Sequence, residues 1–239
     1  MRNTHGKTPV WKAIADALRS DVAEGRYAPG DKLPTEAALA DRFGVNRHTV
    51  RHGISSLVEE GLVRTRRGAG AFVAATPTDY PIGRRVRFHE NLIAAGRSPE
   101  KRVLHVEERL ATDGEAQALR IPPSAAICAY YGLSLADGQP VAVVESVFPA
   151  DRLCGVAAAL RAHTSITDAL RAVGVSDYTR ASTRLTAVRA SATQALHLNV
   201  SEGDPLLKST SVNEDESGQP VEYGRTWFAG DRVTLTLET

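Results

Sequence analysis

Apolar residues recur at helical spacing over the first sixty positions of the chain and at strand and hairpin spacing through much of the remainder. Ile14, Leu18 and Val22 fall at i, i+4 and i+8 with Trp11 and Ala15 on the same side, which predicts a helix from Pro9 to Gly25. Leu39 and Phe43 predict a short second helix over Thr35–Phe43, with Thr35 placed to cap it, Glu36 in its first turn and Gly44 as its stop. Val50, Ile54, Leu57 and Val58 predict a third, entered through a Gly44-Val45-Asn46 turn in which Asn46 can cap the free amides. The other side of that third helix is basic and polar near its start: Arg47, His48, Thr49, Arg51 and His52. Leu62–Val73 reads as two short strands around an Arg66-Arg67-Gly68-Ala69-Gly70 tip.

A turn-rich stretch with two prolines, residues 76–81, separates this region from a different pattern and reads as a linker. Beyond it the expected elements are a helix over 87–95, a strand over 102–111, a short helix over 113–119 and a hairpin of apolar strands around Asp137-Gly138. Helices over 153–161 and 164–173, a strand over 181–190, a short helix over 192–198, a second hairpin around Asp215–Gly218 and a last strand over 233–237 complete it. Hairpins dominate, so the sheet is expected to be mainly antiparallel with flanking helices, an α+β domain. The domains are then 1–75, the linker 76–81, and 82–239.

A helix, a short helix, a tight turn, a helix and a basic hairpin make a winged helix-turn-helix, a fold that reads DNA. An ordinary amphipathic surface helix explains the basic face alone but leaves the Arg66-Arg67-Gly68 tip as a coincidence. Charge supports the first reading. Residues 1–75 carry 12 Lys/Arg against 8 Asp/Glu, the remainder 17 against 20, so the positive excess lies where the motif lies.

No apolar run approaches the length needed to cross a bilayer, and the N-terminus lacks a secretory pattern, so a cytoplasmic location is expected. Cys128 and Cys154 stand apart with no metal-binding context, and two buried, reduced thiols with no metal and no cofactor are expected. The second domain carries no nucleophile-elbow, zinc-protease, phosphate-loop or dinucleotide signature. Two helix starts are candidate anion sites. Arg84, Arg85 and Arg87 precede Phe88 and His89, and Thr164, Ser165 and Thr167 surround Ile166. A solvated basic turn and simple N-capping by Ser165 are the competing readings.

Leu33-Pro34-Thr35-Glu36, the turn to Gly44-Val45, Arg47-His48-Thr49-Val50-Arg51, Gly61-Leu62 and Arg67-Gly68-Ala69-Gly70-Ala71-Phe72-Val73 resemble the DNA-binding domain of GntR-family transcription regulators. Tyr80–Phe88, Leu135–Ala142, His163–Leu170 and Pro220–Arg232 resemble the UTRA effector domain of the HutC branch, which has a chorismate-lyase-like fold. The Gly83-Arg84-Arg85-Val86-Arg87-Phe88 segment is similar to PhnF-like regulators of phosphonate metabolism.

The resemblance implies DNA contacts from Thr35, Asn46, Arg47, His48, Thr49, Arg51, Arg66, Arg67 and Gly68. It implies an effector pocket built from Arg84, Arg87, Phe88, His89, Glu145, Ser165, Ile166, Thr167, Glu222 and Phe228. The chain departs from the family at Ala37, where many members carry arginine, and at Gly132 and Ser134, where members sensing sugar phosphates carry an arginine pair. Phe228 replaces a common tyrosine. The implied protein is a homodimeric regulator, expected to repress, that binds an inverted-repeat operator in double-stranded DNA and is released by a small anionic effector (phosphonate, phosphate ester or carboxylate). An enzyme of the lyase-like fold fused to a DNA-binding domain, using Glu145 and Glu222 as acid and base, is an alternative; a DNA-binding protein without an effector is another.

Overall fold

The computed structural model describes residues 9–66, 68–74, 77–83, 85, 88–94, 96–163 and 165–237, without the side chain of His89. The chain divides into two compact units, with the boundary between Thr76 and Pro77.

The first unit contains α1 (Val10–Ala23), α2 (Glu36–Phe43), α3 (Arg47–Glu59) and a hairpin of β1 (Val63–Arg66) and β2 (Gly70–Val73). The apolar positions that predicted the helices meet in one core, where Ile14, Leu18, Leu39, Val50, Ile54, Leu57, Val63 and Val73 pack together. Gly44 ends α2 in the left-handed region at φ 63°, which makes the turn into α3 tight. Gly53 lets α1 and α3 approach closely, because a Cβ there would lie 2.9 Å from the Trp11 carbonyl oxygen. Asp21 is buried beneath Arg26 and Arg42, at 2.9 and 2.6 Å, and the Arg42 hydrogen bond holds its carboxyl below the usual range.

The second unit runs β3 (Thr78–Pro81), α4 (Phe88–Ala94), β4 (Pro99–Leu110), α5 (Asp113–Leu119), β5 (Ala126–Ala136), β6 (Gln139–Pro149), α6 (Val156–Ala162) and α7 (Ile166–Ala172). It continues with β7 (Tyr178–Arg189), α8 (Ala192–Leu198), β8 (Pro205–Asp215), β9 (Pro220–Ala229) and β10 (Val233–Thr236). Six strands form one antiparallel sheet in the order β4-β5-β6-β9-β8-β7, while β3 and β10 pair parallel beside it as a separate ribbon. Alternation along the strands divides the core between the two faces. On one face α6 and α7 pack on Cys128, Tyr130, Phe148 and Val221, and Tyr80, Ile82 and Leu92 pack on Ala142 and Phe228. On the other, α5 covers Ile127, Ala129 and Val147, and α8 covers Leu133, Leu135 and Leu206.

The fold is thus α+β with a mainly antiparallel sheet. Two expectations need correction. The stretch read as a linker becomes β3 from Thr78 onward, because its amide groups find a ladder partner in β10 and Thr78 and Tyr80 are buried. Cys154 is exposed rather than buried, since it lies in the turn between β6 and α6, while Cys128 is buried as expected.

Candidate functional site

The helix α3 turns Val50, Gly53, Ile54 and Leu57 inward and leaves Arg47, His48 and Arg51 exposed, with Thr49 half-buried. Asn46 Oδ1 accepts from the Thr49 amide at 2.8 Å and from the Thr49 hydroxyl at 3.0 Å. Asn46 is therefore engaged as the cap, and the Thr49 proton must swing away from it before that hydroxyl can donate to a phosphate. Thr35 caps α2 in the same way, accepting from the Ala38 amide at 3.2 Å.

Arg51 is the most constrained of the basic groups on α3. Its Nε and Nη2 donate to Glu36 Oε1 and Oε2 at 2.9 and 2.6 Å, a planar fork that orients the guanidinium and pulls the Glu36 carboxyl below its ordinary range. Arg66 lies over the Phe72 ring at 4.5 Å, and Gly68 turns the exposed hairpin tip at φ 76°. Arg67 is outside the described residues. His52, on the same side of the helix in the sequence pattern, stacks on Trp11 at 4.2 Å. The arrangement offers an exposed basic helix start and a basic hairpin, the charge pattern that contacts phosphates and base edges.

The second unit contains a cavity of about 250 Å³ over one face of its sheet. Register explains why there is room. Across β5, β6 and β9 run Ser134, Ala142 and Phe228; across β6, β9 and β8 run Val144, Thr226 and Ser209, then Ser146, Gly224 and Ser211; across β9, β8 and β7 run Glu222, Asn213 and Arg180. Small residues carpet the floor, so the two apolar clusters at its ends cannot close over the middle. Tyr80, Phe88, Ser165, Ile166 and Thr167 complete the walls.

The floor is polar and charged. Glu222 is buried, and its two oxygens accept from Ser146 Oγ at 2.5 Å and Asn213 Nδ2 at 2.6 Å. Asn213 Oδ1 in turn accepts from Arg180 Nε at 3.3 Å, and Thr167 and Tyr178 share a hydroxyl hydrogen bond at 2.8 Å. Lys101 lines the cavity from β4, directly across from Ser134 in register. Burial pushes its ammonium down to about 8, with the charge of Glu222 acting in the opposite direction.

Of the residues expected to form an effector pocket, Phe88, Ser165, Ile166, Thr167, Glu222 and Phe228 line this cavity. Ser165 makes no cap hydrogen bond to α7 with its side chain, so the capping explanation for it does not hold. Glu145 does not line the cavity. It alternates onto the opposite sheet face with Val143 and Val147, where Arg225 Nη2 bridges it to Glu115. That separation also removes it as a catalytic partner for Glu222. Arg84, Arg87 and the His89 side chain lie outside the described residues, and Arg85 is tied to Asp177 at 2.6 Å. Sequence reasoning missed Lys101, Ser146, Arg180 and Asn213. The signal was there in part: Asn213 follows from extending alternation along β8, but Arg180 and Lys101 each precede a β-bulge, at Ala181 and Leu104, that resets the alternation of β7 and β4.

Comparison with known proteins gives two family matches: "Bacterial regulatory proteins, gntR family" over residues 11–73 and "UTRA domain" over residues 94–234. An HTH-type transcriptional regulator of Rhizobium meliloti (strain 1021) is 39% identical over 231 residues, 96% of this chain and 95% of that protein. The protein named "Probable transcriptional regulator PhnF" of Escherichia coli (strain K12) is 32% identical over 229 residues, 95% of this chain and 94% of that one. The crystal structure of PhnF from Mycobacterium smegmatis superposes with a TM-score of 0.65 at 25% identity, covering 95% of this chain and 98% of that one. Helix-turn-helix, basic hairpin and polar cavity accord with these matches, and the chain belongs to the GntR family of bacterial transcription regulators, with a UTRA effector domain following its DNA-binding domain.

Proposed function

We propose that this regulator acts as a homodimeric repressor whose two copies of α3 and the β1–β2 hairpin read the half-sites of an inverted repeat. A small anionic metabolite, a phosphonate, phosphate ester or carboxylate, releases it by occupying the cavity of the second unit. The observation that carries the effector reading is the cavity itself: about 250 Å³, with Lys101, Arg171 and Arg180 among its lining residues. The inverted repeat follows from the proposed dimer, which would present its recognition helices to two equivalent half-sites. Thr35 and Asn46 contribute by capping; Arg47, His48, Thr49, Arg51, Arg66, Arg67 and Gly68 supply the contacts. Within the cavity Phe88, Ser165, Ile166, Thr167, Glu222 and Phe228 touch the effector, and Arg84, Arg87 and His89 are proposed as further effector contacts.

Fluorescence anisotropy with the full chain and a labelled fragment of its own promoter tests both halves. Arg47→Ala should weaken specific binding about tenfold or more, the worth of one good base contact, with a smaller change on random-sequence DNA. Titrating anions into the complex should release DNA for one chemical class. Binding indifferent to Arg47→Ala would sink the recognition-helix assignment, and operator affinity unmoved by every anion would sink the effector reading.

A further inference from the structure

Two charges on the cavity floor have no counter-ion among the described residues. Glu222 accepts hydrogen bonds only from the neutral groups of Ser146 and Asn213, and it forms no ion pair among the described residues. The Lys101 ammonium, on a half-buried residue, likewise has neither hydrogen bond nor ion pair there and lies 5.9 Å from the centre of the Phe88 ring. The charge of Glu222 reaches Lys101 without ion-pair contact between them. Across the register from Lys101, Ser134 is 1% exposed and its hydroxyl lacks a hydrogen-bond partner among the described residues.

A buried charge or hydroxyl without a partner is costly, and a ligand that satisfies it recovers that cost on binding. Gly132 and Ser134 leave β5 without a cation, and the Tyr130 ring and hydroxyl occupy the space where a Gly132 side chain would go. Lys101, the register partner of Ser134, supplies the cation from β4 instead.

We propose that the cavity is built for a small zwitterion, whose phosphonate, phosphate or carboxylate group sits on Lys101 and Ser134 and whose protonated amine sits on Glu222. This rests on the cavity being the effector site and adds which effector class it takes. A plain anion leaves Glu222 without an ion-pair partner, since Arg180 reaches it only through Asn213, and faces its charge across a cavity of about 250 Å³; a plain amine leaves Lys101 without one. Only a molecule carrying both signs satisfies both ends of the floor.

Isothermal titration calorimetry on the full-length protein tests this with matched probes: 2-aminoethylphosphonate against ethylphosphonate, and β-alanine against propionate. At least one aminated probe should bind about 10- to 100-fold more tightly than its amine-free partner, the range for a charged hydrogen bond. Glu222→Gln keeps hydrogen-bonding capacity for Ser146 and Asn213 but should erase that preference while leaving the amine-free anion bound as well or better. Lys101→Met should weaken both members of the pair, with Lys101→Arg restoring them and thermal melts showing each variant folded. Equal affinity within each pair, or a preference that survives Glu222→Gln, overturns the zwitterion while anion binding itself stands. Unchanged affinity in Lys101→Met overturns the anion seat. No heat from any probe, with no release of operator DNA, defeats this inference; the effector reading itself falls only when the wider range of anions also fails to release DNA.

Discussion

Replacing Glu115 by glutamine removes a charge shared by β4, α5 and β9. The carboxylate is 3% exposed and accepts both terminal nitrogens of Arg109 at 2.8 Å, Arg225 Nη2 at 3.3 Å and the Thr112 amide at 3.0 Å. The Arg109 hydrogen bonds, ahead of the opposing effect of burial, hold its pKa at about 2 against an ordinary 4.5. That depression corresponds to about 3 kcal/mol of native-state stability, reduced to about 2 because the two arginines remain partly solvated. Because the folded value lies below the unfolded one, the contribution is complete above the unfolded pKa of 4.5 and is lost as pH falls toward 2. Glutamine still accepts from the Thr112 amide through its one oxygen, so the cap of α5 survives, while its NH2 group replaces the oxygen that accepts from Arg109 and Arg225, so the loss combines the charge with those hydrogen bonds. Urea denaturation followed by Trp227, in a Trp11→Phe background that leaves it the sole tryptophan, should show Glu115→Gln less stable by about 2 kcal/mol at neutral pH. The gap should shrink to about half by pH 3. A gap that is independent of pH would refute the assignment of the charge.

Gly53→Ala should destabilise the DNA-binding unit by about 1–3 kcal/mol in a thermal melt, despite the helix propensity alanine brings, because the new methyl group meets the Trp11 carbonyl at 2.9 Å and Ile14 Cγ2 at 3.3 Å. Affinity for an anionic effector should fall as pH rises through about 8, where Lys101 gives up its proton in the empty cavity. Calorimetry across that window should lose the step in Lys101→Arg, which leaves Tyr80, Glu90, Asp168, Arg171, Tyr178, Arg180 and Glu222 lining the cavity as before.

The first unit was readable because each helix there shows its buried side at one period and its ends at capping residues. Thr35 and Asn46 do cap α2 and α3, and Leu39, Val50, Ile54 and Leu57 do form the core. Most strands and helices of the second unit were readable for similar reasons, including the short helix α5 over 113–119. Its cavity was less so, because a sheet face is decided by register between strands distant in sequence. Glu145 and Glu222 look equivalent along the chain, yet Glu145 pairs with Arg225 and Glu222 with Asn213, which places them on opposite faces. Lys101 stood one residue before the strand expected from Arg102, whereas β4 begins at Pro99. The fork between Arg51 and Glu36 was equally hidden, since it joins two helices across a turn and leaves no periodic trace.

Coupling between effector and operator needs a structural element that the ligand biases, because a ligand shifts an equilibrium only by its different affinities for the two states. The segment best placed for this is β3. It begins at Thr78, one residue past Pro77 where the second unit starts. Tyr80 in the middle of it is buried, lines the cavity and packs its ring 6.1 Å from Phe88 and 5.4 Å from Phe228. The first ordered strand after the DNA-binding unit is therefore also cavity wall, and its parallel pairing with β10 ties Thr78 to Val233 and Tyr80 to Leu235. A ligand that draws the floor at Phe228 or the start of α4 toward itself acts on Tyr80 directly. From there three residues of main chain lead back to Pro77, the first residue of the unit.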